Sequence, residues 1–263
     1  MQPHLTTLGS LATGLSLFLI SACGTTPTSF RPSDPLPDTT FDQVLLDGVL
    51  HRHVRDGEVD YPALAQDASF AQYLLRLKRM DPDNLTTRTE QLAFWINTYN
   101  AFAIRGILDG GSPVTAFGKY DYFISRKFNV GGANLNLYGI EHDILIPLGE
   151  ARIHFTIVCA SRSCPKQRPA AYTSERLDQQ LDESARRFIN DPSRNRFDRE
   201  NKIAYLSMIF NWFAKDFAAD DVSVLRYIAH YVSDPALASE LNKGDYSIRY
   251  LDYDWSLNGP PPH

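Results

Sequence analysis

The chain has 263 residues, a net charge of −5, 43% hydrophobic residues and 12% aromatic residues, the composition of a globular protein. No cluster or stripe of Lys and Arg interrupts the acidic balance, so nucleic acid is excluded as an expected partner.

Residues 1–22 contain no Lys, Arg, Asp or Glu, and Leu11–Ala22 form an apolar run that stops at Cys23. A membrane-spanning helix needs roughly 20 apolar residues. The run is shorter and has the small-residue finish of a secretory signal peptide. Ile20-Ser21-Ala22-Cys23 resembles a bacterial lipobox, so residues 1–22 are expected to be removed and Cys23 to carry lipid. The anchor makes the membrane a partner. Gly24 stands where an Asp would resemble an inner-membrane retention signal, so the outer membrane, facing the periplasm, is the expected location. Residues 23–40 include four prolines and read as an extended tether. Residues 41–258, about 220 residues, suffice for a single core. Residues 259–263 form a tail.

Within that domain, apolar spacing predicts helices over Phe41–Val54, Tyr61–Met80 and about Thr89–Leu108, separated by Arg55–Glu58 and Asp81-Pro82. Gly131-Gly132 between Lys127–Val130 and Ala133–Tyr138 is a hairpin signal. Ile140–Ile146 reads as a short helix and Arg152–Cys159 as a strand. Ser174–Ile189 is a helix closed by Asn190-Asp191-Pro192. Arg196–Phe197 and Lys202–Tyr205 pair as a second hairpin. Helices over Leu206–Phe217, Val222–Val232 and Pro235–Leu241 follow, and Ile248–Asp252 is a last strand. The expected fold class is α+β, a single domain with helices packed around a small, mostly antiparallel central sheet.

Three places carry chemistry. Leu92–Leu108 is apolar around nearly its whole circumference, the mark of a buried helix. Asn97 and Asn100, three apart, share one of its faces. A buried amide without a partner costs roughly 1–3 kcal/mol. These two therefore either line a polar pocket and orient a catalytic group or bind the backbone of a neighbouring loop. At Tyr138–Ile146, His142 stands between Glu141 and Asp143. Adjacent side chains on a helix diverge by about 100°, so this pattern fits a catalytic imidazole or a solvated helix end.

The third place is Arg152–Pro165, with Cys159, Cys164 and His154. On a strand, Ile153, Phe155, Ile157 and Cys159 share one face and His154 takes the other, which disfavours a His154–Cys159 dyad. Ala160–Ser163 can turn Cys164 to either face. Four readings stand: a Cys159–Cys164 disulfide, stabilising so short a loop by only about 2 kcal/mol; a catalytic or redox-active thiol at Cys164 with His142 or His154 as base; inert buried thiols; or zinc held by His142, His154, Cys159 and Cys164. Spacing argues against zinc, and no metal or cofactor is expected. A redox protein is disfavoured because the cysteines are not a C-x-x-C pair at a helix N-terminus.

Several segments together resemble the bacterial and plant family called domain of unknown function 547. They are F-W-I-N-T-Y-N-A at 94–101, I-E-H-D-I-L at 140–145, R-I-H-F-T-I-V-C-A-S-R-S-C-P at 152–165, F-N-W-F-A-K-D-F at 210–217 and Y-D-W-S-L-N at 253–258. The resemblance runs from about residue 85 to the C-terminus and includes Trp95, Asn97, Asn100, Glu141, His142, His154, Cys159, Cys164 and Pro165. Ile144-Leu145-Ile146-Pro147 lacks the Arg expected after the Ile-Leu step. The resemblance implies one folded unit in which these polar residues recur as a set, and it implies no particular reaction.

The expected function is a thiol-dependent hydrolase or transferase acting on cell-envelope material. Cys164 is its nucleophile, His142 or His154 its base, and Glu141 or Asn97 the orienting group. The alternative is a non-enzymatic envelope module that binds a polymer, peptide or protein, with Cys159–Cys164 as a local staple. An exposed aromatic patch from Tyr120–Phe123 or Tyr246–Trp255 is expected for the module. Buried rings and a pocket closing over Cys164 are expected for the enzyme.

Overall fold

The computed structural model describes residues 41–217 and 221–262. The expected signal segment, Cys23 and the proline-rich tether lie outside the described residues. Helix α1, Val44–His53, leads into a two-residue hairpin of β1, Val54–Arg55, and β2, Glu58–Val59. The long helix expected over Tyr61–Met80 is two helices, α2, Tyr61–Leu64, and α3, Ala68–Arg79. Asp67 causes the break: its carboxyl accepts the Ser69 N–H at 2.8 Å and starts a new helix instead of continuing the old one.

Helix α4, Arg88–Leu108, is the central pillar. Its start is written in a reciprocal cap in which Thr87 Oγ1 accepts the Glu90 N–H at 3.2 Å and Glu90 returns the bond to the Thr87 N–H at 2.9 Å. From Leu92 to Ile104 every residue is buried, as its all-round apolar pattern requires. A short helix α5, Ala116–Tyr120, runs into a π-helical turn over Asp121–Ser125. Strands β3, Phe128–Val130, and β4, Ala133–Leu135, form the expected hairpin. Gly131 and Gly132 turn it, both with positive φ, a conformation that favours glycine. The three-residue helix α6, Leu137–Gly139, continues as a π-helix over Ile140–Leu145.

The strand expected over Arg152–Cys159 is absent. Ala151–Phe155 is a 3-10 helix, followed by chain without regular secondary structure. Glu150 caps it at the Arg152 N–H, and Thr156 Oγ1 closes it on the Ile153 carbonyl at 2.7 Å. Asn100 then takes the Thr156 carbonyl at 2.9 Å and the Val158 N–H at 2.8 Å, the groups a neighbouring strand would have used.

A 3-10 turn over Ser174–Arg176 opens α7, Leu177–Ile189. Strands β5, Arg196–Asp198, and β6, Ile203–Leu206, pair antiparallel, and β7, Ser247–Tyr250, adds to β6 in parallel. Between β6 and β7 lie α8, Ile209–Trp212, α9, Ala214–Phe217, α10, Asp221–Tyr231, and α11, Pro235–Leu241. The architecture is α+β, with the strands among the described residues in three small, mostly antiparallel sheets. Among the described residues, no helix is long and apolar enough to cross a membrane.

Among the described residues, the buried apolar side chains form two clusters. One surrounds α4 and includes Ile153 and Ile157; the other gathers Phe188, Phe210, Phe217, Leu225 and Ile228, and includes Phe155. The segment 153–157 is therefore the seam between two cores, and His154 lies in it.

Candidate functional site

Cys159 and Cys164 are joined by a disulfide. Ala160 between them has a φ of 61°, a left-handed conformation that lets the chain turn back on itself. The turn is tied from two sides. Arg194 donates from Nε and Nη2 to the Cys164 carbonyl at 3.2 and 3.1 Å, and from Nη2 to the Arg162 carbonyl. The C-terminal segment lies alongside it, with the Arg162 N–H on the Ser256 carbonyl at 2.8 Å and the Ser163 N–H on the Asp254 carbonyl at 3.1 Å. That pairing delivers Tyr253 to the disulfide. Its hydroxyl lies 3.2 Å from Cys164 Sγ and 3.3 Å from Cys159 Sγ, while Ser161 Oγ donates to it at 3.1 Å. Cys164 Sγ also accepts the Cys159 N–H at 2.9 Å. Cys164 is buried and Cys159 half-buried.

His154 is buried at the seam. Its Nε2 is 2.8 Å from Asp216 Oδ2, and its ring stacks on Phe213 at 3.9 Å. Burial holds its pKa below the usual imidazole range, against the pull of the Asp216 carboxyl. A neutral ring donating from Nε2 to Asp216 leaves Nδ1 as the nitrogen with the free lone pair, an assignment made from the hydrogen bond. Nδ1 is buried, has no hydrogen-bond partner among the described residues, and lies 3.9 Å from Glu141 Oε1. Burial pushes the Glu141 carboxyl up to about 8, with the neighbouring Asp216 adding to the effect. A protonated acid and a neutral base thus face each other, the separation of roles that acid–base chemistry uses.

These groups share one pocket. It holds roughly 470 Å3, part of it continuous with solvent, and Glu141, His154, Cys159 and Cys164 all line it. The rest of the wall is apolar, chiefly Phe123, Ile157, Trp212, Phe213, Tyr253 and Trp255. Trp212, Tyr253 and Trp255 pack on one another with centroids 4.5 to 5.7 Å apart, and Lys119 Nζ sits 3.8 Å over the Trp255 ring. A shallower trough shares Phe123 and Glu141 with the pocket and extends to Tyr120, Ile124, Tyr138 and His142.

Of the residues read from sequence as a site, Cys164, His154 and Glu141 are brought together, along with Cys159. The geometric objection to His154 and Cys159 sharing a face disappears with the strand on which it rested. His142 stands apart: it stacks on Tyr138 at 3.9 Å, its Nδ1 lies 3.2 Å from the Tyr138 carbonyl, and it lines the trough, not the pocket. Asn97 is also elsewhere. It donates to the Tyr172 carbonyl at 2.8 Å and accepts the Tyr172 N–H at 2.9 Å, so its amide clips a loop backbone. The orienting group for His154 is Asp216, which sequence reasoning left unassigned. Asp216 and Tyr253 lie in the segments F-N-W-F-A-K-D-F and Y-D-W-S-L-N, the signal that could have marked them. Among the described residues no group of three or more His, Cys, Asp or Glu is disposed to hold a metal ion.

Residues 82–189 match the model of a family described as Protein of unknown function, DUF547. No curated protein and no solved structure matches the chain. The matched segment contains Glu141, His154, Cys159 and Cys164 and ends before Asp216, Tyr253 and Trp255.

Proposed function

We propose that the domain is a thiol-dependent hydrolase or transferase acting on cell-envelope material, exported and anchored to the outer membrane through lipid on Cys23. The observation that carries this reading is His154, anchored by Asp216 at Nε2 and with Nδ1 free, in the same pocket as the sulfur of Cys164. A thiol reductant of the envelope opens the disulfide, supplying two electrons and two protons to give two thiols. The Cys164 thiol then passes its proton to His154 Nδ1. The resulting thiolate is held by the Cys159 N–H and the Tyr253 hydroxyl, the two donors already on that sulfur. It attacks a carbonyl carbon whose oxygen accepts the Glu141 proton in a hydrogen bond. The leaving group departs with the proton from His154, and the acyl thioester is released to water or to an acceptor hydroxyl or amine.

The test uses purified protein reduced with a dithiol and a p-nitrophenyl ester as reporter, with peptide mapping of the acyl adduct. Turnover that needs reduction, an adduct on Cys164 and loss of both in Cys164→Ala support the reading. Turnover indifferent to reduction and to Cys164→Ala ends it.

One observation favours the second reading, a binding module in which the disulfide is a staple. Tyr120, which lines the trough, is 57% exposed and Phe117, on the same helix α5, is 81% exposed, an aromatic surface that envelope polymer, peptide or protein can cover. Envelope binding that survives Cys164→Ala, with no turnover in the reduced wild type, selects this reading.

A further inference from the structure

We infer that the pocket over the disulfide is an acyl-chain site, taking the hydrocarbon chain of a neutral lipid ester or thioester with its carbonyl oxygen at Glu141. This deepens the proposed thiol chemistry by naming its substrate class, and it rests on that reading only for the carbonyl step. The wall decides the class. Apart from Glu141, His154, the disulfide and the hydroxyl of Tyr99 it presents chiefly aromatic rings and aliphatic side chains. Tyr253 brings a hydroxyl, but Ser161 and the two sulfurs already engage it.

A sugar ring needs an open aromatic face and several polar partners. Lys119 covers one face of Trp255, and the polar groups on the wall are few beside its apolar side chains: Glu141, His154 Nδ1, the Tyr99 hydroxyl and the indole N–H groups of Trp212 and Trp255. A phosphate or carboxylate head needs cations. Instead, the pocket has Glu141 on its wall, with Asp216 bonded behind His154, and Lys119 sits over the Trp255 ring. A neutral carbonyl compound with an apolar chain meets both conditions: it accepts one hydrogen bond and buries everything else. The Glu141 carboxyl suits this, because burial keeps it protonated and therefore a donor near neutral pH. The trough supplies length. It shares Phe123 and Glu141 with the pocket and is lined further by Tyr120, Ile124 and Tyr138, so it offers neighbouring apolar surface to a chain too long for the pocket.

The experiment uses the oxidised protein, in which the disulfide blocks turnover and binding is read alone. The neutral dye N-phenyl-1-naphthylamine is bound and then displaced by methyl esters of four- to twelve-carbon acids. Burial of each added methylene predicts a gain of about fourfold in displacing strength. Trp212→Ala and Ile124→Glu, at positions 44% and 37% exposed and with folding checked by circular dichroism, are expected to weaken displacement tenfold or more. Leu75→Glu, on the exposed face of α3, leaves it unchanged. Displacement independent of chain length, equal weakening by Leu75→Glu, or equal competition from N-acetylglucosamine oligosaccharides overturns the assignment. Chain-length-dependent binding without Cys164-dependent turnover after reduction keeps the acyl site and removes the thiol enzyme. Turnover through Cys164 with no chain-length dependence does the reverse.

Discussion

Asp216 Oδ2 meets His154 Nε2 at 2.8 Å across 62 residues of sequence, joining α9 to the seam between the two cores. The pair fixes which imidazole nitrogen is free. In Asp216→Asn the amide is able to donate to Nε2, which moves the ring proton to Nδ1 and leaves no lone pair facing Glu141. Reduction-dependent turnover is expected to fall by roughly 10^3-fold. The thermal midpoint, followed by circular dichroism, is expected to stay within a few degrees, because Asp216 is part-exposed. A variant that keeps wild-type kcat shows that Asp216 does not orient the base.

Glu141 makes stability depend on pH with a definite sign. Its ordinary value is 4.5 and its folded value about 8, so between these the folded state keeps a proton the unfolded state has lost. Stability from this group is complete below about 4.5 and falls as pH rises through about 8. His154, held below its ordinary 6.5, acts oppositely at lower pH, so the clean window is from about 6.5 to about 8. Glu141→Gln is expected to lack the fall there, gaining on the wild type by on the order of a few kcal/mol by alkaline pH. Urea midpoints of the two proteins at pH 6.5 and 8.5 check this. Parallel curves mean that the Glu141 carboxyl is not buried as described.

Much of the architecture is legible in the chain because its signals are local. Thr87 and Glu90 write the start of α4, Gly131-Gly132 writes the β3–β4 hairpin, and Asn190-Asp191-Pro192 closes α7. The segment 152–159 misleads because its alternation is real but is not that of a strand: Ile153 and Ile157 face one core and Phe155 the other. Periodicity reports burial, and a 3-10 turn wedged between two cores alternates as a strand does. Cys164, His154 and Glu141 stand out by residue type, in otherwise apolar sequence. Asp216 and Tyr253 come from distant segments, and only packing sets them beside His154 and the sulfurs.

The disulfide is expected to contribute little to stability. It spans a sequence separation of five, and closing so short a loop stabilises the folded state by about 2 kcal/mol. Other ties hold the same turn: Arg162 and Ser163 bond the C-terminal segment, and the Asn258 N–H reaches the Ala160 carbonyl at 3.1 Å. The reduced protein therefore keeps its near-ultraviolet circular dichroism, with a urea midpoint lowered by an amount equivalent to about 2 kcal/mol. Collapse of that signal on adding dithiol means that the disulfide is a structural staple and that no reduced enzyme exists to be tested.

Asn97 and Asn100 are predicted to separate stability from the site. Each uses both ends of its amide on buried backbone, Asn97 on Tyr172 and Asn100 on Thr156 and Val158. Alanine at either position strands two buried polar groups at roughly 1–3 kcal/mol each, so both variants lose about 2–6 kcal/mol. Their consequences differ downstream. The loop clipped by Asn97 leads into α7, away from the pocket. The segment clipped by Asn100 runs straight into Cys159, and its Ile157 lines the pocket. At a urea-free temperature where both remain folded, Asn97→Ala is expected to keep wild-type displacement of the naphthylamine dye, and Asn100→Ala to weaken it tenfold or more. Equal dye affinities in the two variants mean that the Asn100 clip supports the fold without shaping the pocket. Weakening in Asn97→Ala alone restores the sequence-based expectation that Asn97 serves the site.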